Sequence, residues 1–447
     1  MAQVQDINVA ICGHAWHGKS TLVGKTVCEL GLVGRRDLEN YERIARQGRD
    51  HSLVFALLVF RQKDPTHPTD EAARGITVLP SFVRFEFPTH RVTVIDTPGQ
   101  ENYTNNRLSG LFSADCAVLV VDVKDGVKQV TEQVLRVLRG YEIPLRGVAL
   151  TKMDEVGYSE EAFLEGVELV RTGLRMYGIP DADVTFVPTS AYAPGRSIYE
   201  PGEGITRYTK MPWYKGPTFH GFLGQLDFRA IRPRSPLRLV IHSADVHEQV
   251  PGIGTAVTAL VESGTLRRDQ TLVFEPLGME QGEPLTAHVR SVELTKGHVA
   301  TPGIPVQEAI PRQLVGVALQ RVTPKVSLRD VAKNRGIVAG TPDDPPRVAR
   351  EIEAEITVFD PEVPVSPGIQ WTLHAHVDKV GVEIQAISTD ADRPADRLIG
   401  GEWARVRLAA VRPIAIEEAA RLAPLAKLVL RESNRPLGFG RCLKIIK

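Results

Sequence analysis

The sequence carries no excess of charge of either sign and has few aromatic side chains. Its 447 residues include 54 Lys and Arg against 54 Asp and Glu, so the formal net charge is zero. A chain coated evenly with positive charge for nucleic acid is therefore excluded, whereas a local basic patch is not. Aromatic residues make up only 6%, which argues against a surface that holds nucleic acid mainly by base stacking.

Cysteines and long apolar runs are also scarce. The longest dense apolar run is residues 53–60, whereas a helix that spans a membrane needs about 20 residues. The first six residues show no cationic stretch followed by an apolar one, which is the pattern of a secretory signal. We therefore expect a soluble, cytoplasmic protein without a membrane partner. The absence of any C-x-x-C pair favours reduced thiols at all four cysteines, which are Cys12, Cys28, Cys116 and Cys442.

The first two hundred residues alternate strand-like and helix-like segments. Helical spacing of apolar residues predicts helices at 19–30 and 131–138. Short, nearly continuous apolar runs predict strands at 7–12, 92–95, 116–121, 147–150 and 184–187. Strands of this kind that alternate with helices indicate a mostly parallel, doubly wound sheet covered on both faces.

The pattern changes after a segment at 211–220 that we interpret as a linker into a last helix. From about residue 232, short β-branched runs recur with Gly and Pro between them, which is typical of β-barrels. A second break falls at 341–346. We therefore predict an α/β domain at 1–225 followed by two all-β barrels at 226–343 and 344–447.

A phosphate-binding loop is predicted where the first strand meets the first helix. Residues 13–20 fit the pattern G-x-x-x-x-G-K-[ST], in which backbone N–H groups close around phosphates and the lysine reaches the β- and γ-phosphates. A glycine-rich turn without a ligand is the alternative. The predicted phosphate-binding residues are Gly13, Trp16, His17, Gly18, Lys19, Ser20, Thr21 and Gly99.

A predicted magnesium site and a predicted catalytic residue follow the next strands. The Ser20 hydroxyl can bind Mg²⁺ directly, Asp96 can hold it through water, and Thr77 offers a second hydroxyl. Gln100 directly follows the Asp96–Gly99 turn, where it can approach a water beside the γ-phosphate. We predict Gln100 and Lys19 as catalytic residues and Ser20, Thr77 and Asp96 as metal ligands.

Residues that follow two later predicted strands indicate which base the site binds. The Asp154 carboxylate can accept both N1–H and the 2-amino group of guanine, which adenine cannot supply, and Lys152 can lie along the base. Ser190 and Ala191 follow the last strand, where a backbone amide could meet guanine O6. Thr151 opens the same segment as Asp154 and completes the predicted guanine set. Each motif is weak alone, but their order along the chain predicts a Mg²⁺-dependent GTP/GDP-binding domain.

These motifs resemble those of the translational GTPases, most closely the elongation factor 1-alpha branch, which has GHVDHGKST, RGITI, D-x-PGH and NKMD in this order. The resemblance implies a GTPase domain followed by two β-barrels. It also implies GTP-dependent delivery of tRNA, or of a tRNA-like cargo, to the ribosome. It extends along essentially the whole chain through segments 211–217, 236–239, 252–255, 261–264, 335–340 and 436–438.

Four changes, one of them at two adjacent residues, depart from the family pattern. Ala15 and Trp16 replace Val-Asp in the phosphate loop, and the family implies that this Asp helps to hold a monovalent cation. Gln100 replaces a His, Thr151 replaces the guanine-reading Asn, and Leu260 replaces an Arg. These changes predict a divergent member with slow hydrolysis unless a partner assists.

The resemblance leaves several functions open. The first is delivery of aminoacyl-tRNA to the ribosome, and the second is transport of a release, rescue or other tRNA-mimicking factor. The third is a GTPase subunit that regulates a metabolic enzyme of the sulfate-activating type, and the fourth is a ribosome-associated factor that hardly hydrolyses GTP. For the translation roles we expect the ribosome, tRNA or its mimic and an exchange factor as partners of a monomeric protein.

Further expectations concern charge, histidines and a switch. Phosphate contacts are predicted for the basic C-terminal segment 421–447, with a solvated barrel face as the alternative. Its seven basic residues are Arg421, Lys427, Arg431, Arg435, Arg441, Lys444 and Lys447, and the same contacts are predicted for Arg229, Arg232, Arg234 and Arg238. His374 and His376 are predicted as exposed strand histidines and not as metal ligands. The insertion at 34–74 is predicted to be a mobile switch. Its conformation should control proteolysis near Arg46, Arg49 and Arg74.

Overall fold

The structure is a computed structural model in which the chain forms two compact units, the first within residues 5–227 and the second within residues 236–294 and 303–447. The described residues are 5–45, 52–59, 76–193, 197–227, 236–242, 247–250, 254–277, 282–294, 303–325, 328, 336–359, 365–388, 394–398 and 400–447. Among them no helix is both long and apolar enough to cross a membrane. The predicted protease sites Arg46, Arg49 and Arg74 lie outside the described residues, as do Arg229, Arg232 and Arg234.

The first unit contains one six-stranded sheet in the order β2-β3-β1-β4-β5-β6. All its strand pairs are parallel except β2–β3. The strands are β1 Gln5–Cys12, β2 Ser81–Glu86, β3 His90–Asp96, β4 Cys116–Asp122, β5 Leu145–Thr151 and β6 Thr185–Pro188. Every residue of β4 and nearly every residue of β1 is buried, as expected for central strands covered on both faces.

The helices of this unit follow the predicted alternation, with additions. Short 3-10 helices also lie at Glu101–Tyr103 and Met153–Val156. The α-helices are α1 Lys19–Glu29, α2 Arg35–Ala45, α3 Leu53–Val59, α4 Thr104–Phe112, α5 Gln129–Gly140, α6 Glu160–Met176 and α7 Phe219–Gly224. The sequence analysis predicts α1, α5 and the last helix, but not α2, α3, α4 or α6.

The insertion predicted as a mobile switch contains a buried helix. Residues 54–59 of α3 are all buried. A side chain at Gly24 of α1 would come within 1.9 Å of the carbonyl oxygen of Phe55, so this close helix contact requires glycine. Among the described residues of the insertion, α3 is therefore part of the core that packs against α1.

The second unit contains two antiparallel barrels. The first barrel closes in the order β11-β16-β7-β9-β15-β12, with β8 and β13 attached and β10 and β14 paired separately. Its strands are β7 Arg238–Ile241, β8 His247–Val250, β9 Gly254–Ser263, β10 Leu266–Arg267, β11 Thr271–Glu275, β12 Leu285–Leu294, β13 Ile304–Val306, β14 Glu308–Ala309, β15 Leu314–Thr323 and β16 Ile337–Gly340. Apolar side chains such as Leu239, Phe274 and Val289 fill its interior.

The second barrel closes in the order β17-β20-β19-β18-β21-β22. Its elements are β17 Val348–Val358, β18 Gln370–Ala375, β19 Asp378–Ser388, β20 Trp403–Ala415, α8 Ala419–Ala426, β21 Lys427–Glu432 and β22 Arg435–Ile445. The predicted fold class, an α/β GTPase-type domain followed by two all-β barrels, is confirmed. The domain limits at 225/226 and 343/344 stay a prediction.

The histidines of the second barrel correct one prediction. His374 and His376 are 1% and 0% exposed, not exposed strand residues. His374 lies on β18, where the closed barrel buries the three consecutive residues 373–375. Burial lowers the pKa of both histidines, because a low-dielectric interior disfavours the charged form.

Candidate nucleotide-binding site

Two glycines shape the loop between β1 and α1. Gly13 has φ 140°, and a side chain there would lie 2.3 Å from the carbonyl oxygen of Val120. Gly18 has φ 85° and directly precedes α1, so both positions use backbone conformations that favour glycine. The loop therefore turns tightly from β1 into the positive end of α1, the arrangement that binds phosphate.

Lys19 and Gly99 meet at this loop. The Lys19 ammonium donates to the carbonyl oxygen of His14 at 2.7 Å and is almost fully buried. Burial lowers the pKa of Lys19 to about 8. A side chain at Gly99 would lie 2.2 Å from Lys19 Nζ and 2.7 Å from the backbone nitrogen of Ala15. The turn after β3 therefore lies directly against the phosphate loop, as the sequence motifs imply.

The three predicted metal ligands converge on one point. Ser20 Oγ lies 2.6 Å from Asp96 Oδ2 and 2.9 Å from Thr77 Oγ1. Thr77 Oγ1 lies 3.3 Å from the same carboxylate oxygen. Hydroxyl and carboxylate oxygens are the hard donors that Mg²⁺ prefers. The donor set therefore fits a magnesium ion beside the phosphate loop.

The guanine motifs meet at the ends of β5 and β6. Ser190 donates to Asp154 Oδ1 at 2.6 Å. Lys152 takes φ 60° and its ammonium lies 2.7 Å from Asp122 Oδ2. Ala191 follows Ser190 in the same loop. The structure brings Asp154 and Ser190 into contact, and it places Lys152 beside Asp122, a residue that the sequence analysis did not select.

Asp122 holds the ammonium group of Lys152 in an ion pair. Its side chain is 4% exposed. Burial raises the pKa of this carboxyl, but hydrogen bonds from Lys152 and from the backbone N–H of Lys124 lower it below its usual value overall. Asp122 therefore remains ionised and fixes the lysine that is predicted to lie along the base. Its position at the end of an apolar strand, like that of Asp96, was a signal that could have identified it.

Thr151 makes a contact that the sequence analysis did not predict. Its hydroxyl donates to the carbonyl oxygen of His17 at 2.7 Å, with the carbonyl oxygen of Val121 at 3.3 Å as a further acceptor. The bond to His17 joins the end of β5 to the phosphate loop. The side chain of Thr151 therefore holds the loop that is predicted to bind the phosphates.

The remaining predicted residues surround the loop. Trp16 has φ 64° and is 61% exposed. His17 is fully buried, and its ring packs edge-on against the ring of His14 with 5.2 Å between the ring centroids. Burial lowers the pKa of His17 to about 4, so the ring is neutral at pH 7. Thr21 lies half-buried in the first turn of α1, and Gln100 is half-buried directly before the 3-10 helix Glu101–Tyr103.

Helix α1 also supports the loop behind the guanine motif. Buried Lys25 donates to the carbonyl oxygens of Ile198 and Glu200 at 3.0 and 2.5 Å. Glu29 accepts hydrogen bonds from the backbone of Gly202 and the hydroxyl of Thr206. The sequence analysis missed both residues, although two charges four positions apart on a largely apolar helix were a visible signal. One helix thus carries the phosphate residues and holds the segment next to Ser190.

The basic cluster that includes Arg238 requires a correction. Arg238 is fully buried, and its guanidinium donates to Glu417 Oε1 at 2.6 Å and to Asp344 Oδ1 at 3.3 Å. It also donates to the carbonyl oxygens of residues 237, 344 and 345. These hydrogen bonds engage its guanidinium within the second unit, so the prediction that Arg238 contacts phosphate is wrong.

The basic C-terminus is divided between paired and exposed residues. Arg421 pairs with Asp344 and Glu417, and Arg431 is buried. Arg441 is exposed and lies 3.3 Å from Glu355. Arg435, Lys444 and Lys447 are exposed as well. Only part of this segment is therefore available to contact phosphates.

Comparison with known families and structures agrees with this architecture. Residues 5–207 match the Elongation factor Tu GTP binding domain, and residues 351–443 match the GTP-eEF1A C-terminal domain-like family. The chain is 30% identical to elongation factor 1-alpha of Methanosarcina acetivorans over 98% of both chains. It is 32% identical to that of Nanoarchaeum equitans over 97% of this chain and 95% of the relative.

Solved structures share the fold at lower identity. The Ski7 GTPase-like domain of S. cerevisiae, solved with bound GTP, has a TM-score of 0.75 and 17% identity over 98% of this chain and 97% of that chain. Translation elongation factor SelB from Methanococcus maripaludis, solved with the GTP analogue GPPNHP, has a TM-score of 0.69. It is 18% identical over all of this chain and 80% of that chain.

Proposed function

Since the chain belongs to the translational GTPases as a divergent member of the elongation factor 1-alpha branch, we propose that it delivers aminoacyl-tRNA to the ribosome and hydrolyses GTP. The observation that carries the proposal is the convergence of Ser20, Thr77 and Asp96 beside the buried ammonium of Lys19. Similarity to elongation factor 1-alpha over nearly the full length supports the delivery role.

Guanine recognition is assigned to Asp154 and its neighbours. Its carboxylate accepts two hydrogen bonds from guanine, and the Ser190 hydroxyl at 2.6 Å supports that orientation. The Ala191 amide meets O6, and Lys152 lies along the base. An adenine would leave the carboxylate without its donors, which costs about 1–3 kcal/mol or more for a charged acceptor.

Phosphate binding is assigned to the loop that begins at Gly13. Its backbone amides and Lys19 bind the phosphates, and Gly99 contributes an amide beside the γ-phosphate. Ser20, Thr77 and Asp96 would hold Mg²⁺, which when bound neutralises negative charge on the phosphates. Since Thr77 is remote in sequence from Ser20 yet within 2.9 Å of it, the same contact can report the nucleotide state.

Hydrolysis is assigned to a water oriented by Gln100. An amide can hold water through one donor and one acceptor but adds no charge, unlike a protonated histidine. We therefore expect unassisted turnover on the order of 10⁻³ s⁻¹ or below, by comparison with unassisted GTPases. The ribosome would supply the missing positioning. We further propose a cytoplasmic monomer with an exchange factor, divided into domains at 1–225, 226–343 and 344–447.

The experiment that tests the delivery role is capture of the protein's partners in each nucleotide state. The full chain, loaded with GPPNHP or with GDP, is incubated with cell extract, and retained RNA and protein are sequenced. Enrichment of aminoacylated tRNA only in the GPPNHP state supports the proposal. Retention of a release-factor-like protein or of a metabolic enzyme instead contradicts it.

A second candidate function is favoured by two positions of the site. Trp16 is exposed where the family has an aspartate, and Gln100 stands where it has a histidine. Both changes remove aids to hydrolysis, which suits a ribosome-associated factor that binds GTP and hardly hydrolyses it. Ribosome binding in the GTP state with no stimulated hydrolysis would favour this candidate.

A further inference from the structure

Arg107 is a buried cation that contacts the turn carrying Gln100. It lies on α4, is 1% exposed, and is among the largest fully buried side chains of the described residues. Its Nη1 donates to the backbone carbonyl oxygen of Gln100 at 3.1 Å. Burying a guanidinium costs free energy unless its donors are well placed, so the contacts of this side chain call for an explanation.

The other terminal nitrogen of the guanidinium is held by the first residue of α4 itself and by the neighbouring helix α5. Nη2 donates to Thr104 Oγ1 at 2.9 Å and to Gln133 Oε1 of α5 at 3.1 Å. Gln133 in turn donates through Nε2 to Glu101 Oε1 at 3.2 Å. The two side chains therefore join α5 to consecutive residues of the turn after Gly99, one through a main-chain carbonyl and one through a carboxylate.

This brace acts on the residue with the proposed chemical role. The carbonyl that Arg107 holds belongs to Gln100, whose backbone is extended and leads into the 3-10 helix Glu101–Tyr103. Fixing that carbonyl restricts rotation of the peptide from which the Gln100 side chain projects. Because misplacement of a reacting group by about 1 Å can cost 10²-fold in rate, such a restraint can control hydrolysis without touching the nucleotide.

We propose that Arg107, supported by Gln133, is a positioning residue that holds Gln100 in the orientation needed for GTP hydrolysis. The inference rests on the proposed function. Arg107 on α4 and Gln133 on α5 lie outside the nucleotide-binding motifs, but they contact Gln100 and Glu101 in the turn after Gly99. Arg107 is not assigned contact with GTP, so its removal should change the rate of hydrolysis and leave nucleotide affinity nearly unchanged.

The test compares Arg107→Met, Arg107→Lys and Gln133→Met with wild type in single-turnover GTP hydrolysis with ribosomes. We expect Arg107→Met to be slower by about 10- to 100-fold and Arg107→Lys to recover part of the loss. Gln133→Met should also be slower and serves if Arg107→Met does not fold. The matched control is Arg91→Met, which removes an arginine that binds Asp6 bidentately at the other end of β3. Hydrolysis as fast as wild type in both Arg107→Met and Gln133→Met would overturn the proposal.

A double variant and an activity-independent readout separate positioning from a general structural effect. If Arg107 acts through Gln100, adding Arg107→Met to Gln100→Ala should not slow hydrolysis further, and an additive loss would overturn that route. Hydrogen exchange at residues 100–103 with GPPNHP bound should be faster in Arg107→Met than in Arg91→Met, and equal exchange would overturn the brace. If wild type shows no stimulated hydrolysis, the proposed function fails while the exchange comparison still decides the brace.

Discussion

Two buried polar clusters of this protein differ in what their side chains do. In the first unit, Lys19 and the Ser20–Asp96 pair lie beside Gly13 and Gly99, where a side chain would collide with neighbouring protein atoms. In the second unit, Arg238 directs its guanidinium at Glu417, at Asp344 and at three carbonyl oxygens. The first, open cluster lies on a glycine-rich loop that is predicted to bind a ligand, whereas the second, closed cluster consists of contacts between protein groups alone. Charge in the sequence does not distinguish them, whereas the neighbouring glycines do.

The closed cluster predicts the largest effect. Arg238→Ala should destabilise the second unit by about 3–5 kcal/mol, because it leaves Glu417 buried without its cation. Urea unfolding of the full chain measures the change, and hydrogen exchange shows which unit opens. GTP affinity should remain at the wild-type value. A loss of GTP affinity with unchanged stability would contradict the assignment of Arg238 to a structural role.

The guanine motif of the first unit, next to the open cluster in the predicted nucleotide site, predicts a change of ligand. Asp154→Asn should weaken GTP binding by about 1.5–3 kcal/mol, since it removes a charged hydrogen-bond acceptor, and should shift preference towards xanthine nucleotides. Competition titrations with GTP, XTP and ATP measure the shift. Equal affinity of the wild type for ATP and GTP would contradict guanine recognition by Asp154.

Buried His374 of the second barrel predicts that the stability of the second unit depends on pH. Burial, together with the charges of Arg431, His376 and Lys379, lowers the pKa of His374 well below its ordinary value of 6.5. In the unfolded chain His374 binds a proton near pH 6.5, whereas in the folded barrel it stays neutral. The free energy of unfolding should therefore fall as the pH drops below 6.5. Urea unfolding at pH 7.5 and 5.5 measures the slope, which His374→Leu should reduce. An unchanged slope in that variant would contradict the buried, neutral state.

The smallest effect concerns the exposed part of the basic C-terminus. If Arg441 and Lys444 contact cargo phosphates, each charge reversal to Glu should reduce the slope of log affinity against log salt by about 1. Arg267→Glu, an exposed arginine of the first barrel that pairs with Glu308, is the control. tRNA binding with a slope unaffected by either reversal would assign these residues to a solvated face.

The sequence predicts the fold well where the signals are local. The strands that end just before Lys19 and Asp154, and the strand that ends at Asp96, are predicted, because apolar runs and glycine-rich turns are contiguous in the chain. Contacts between distant residues were not. Arg238 was misassigned because its partner Glu417 lies 179 residues away, and nothing in the local sequence of α4 links Arg107 to Gln133. His374 was misassigned because alternation along one strand cannot show which face a closed barrel buries.

Gln100 provides the most direct test of the account. Single-turnover GTP hydrolysis is measured with and without ribosomes for wild type, Gln100→Ala and Gln100→His, alongside GTP affinity. The account predicts slow unassisted hydrolysis by wild type, stimulation by ribosomes, and loss of that stimulation in Gln100→Ala at nearly unchanged affinity. Gln100→His should retain or raise the stimulated rate. Hydrolysis by Gln100→Ala as fast as by wild type in the presence of ribosomes would contradict the account and make Gln100 a turn residue without a part in the reaction.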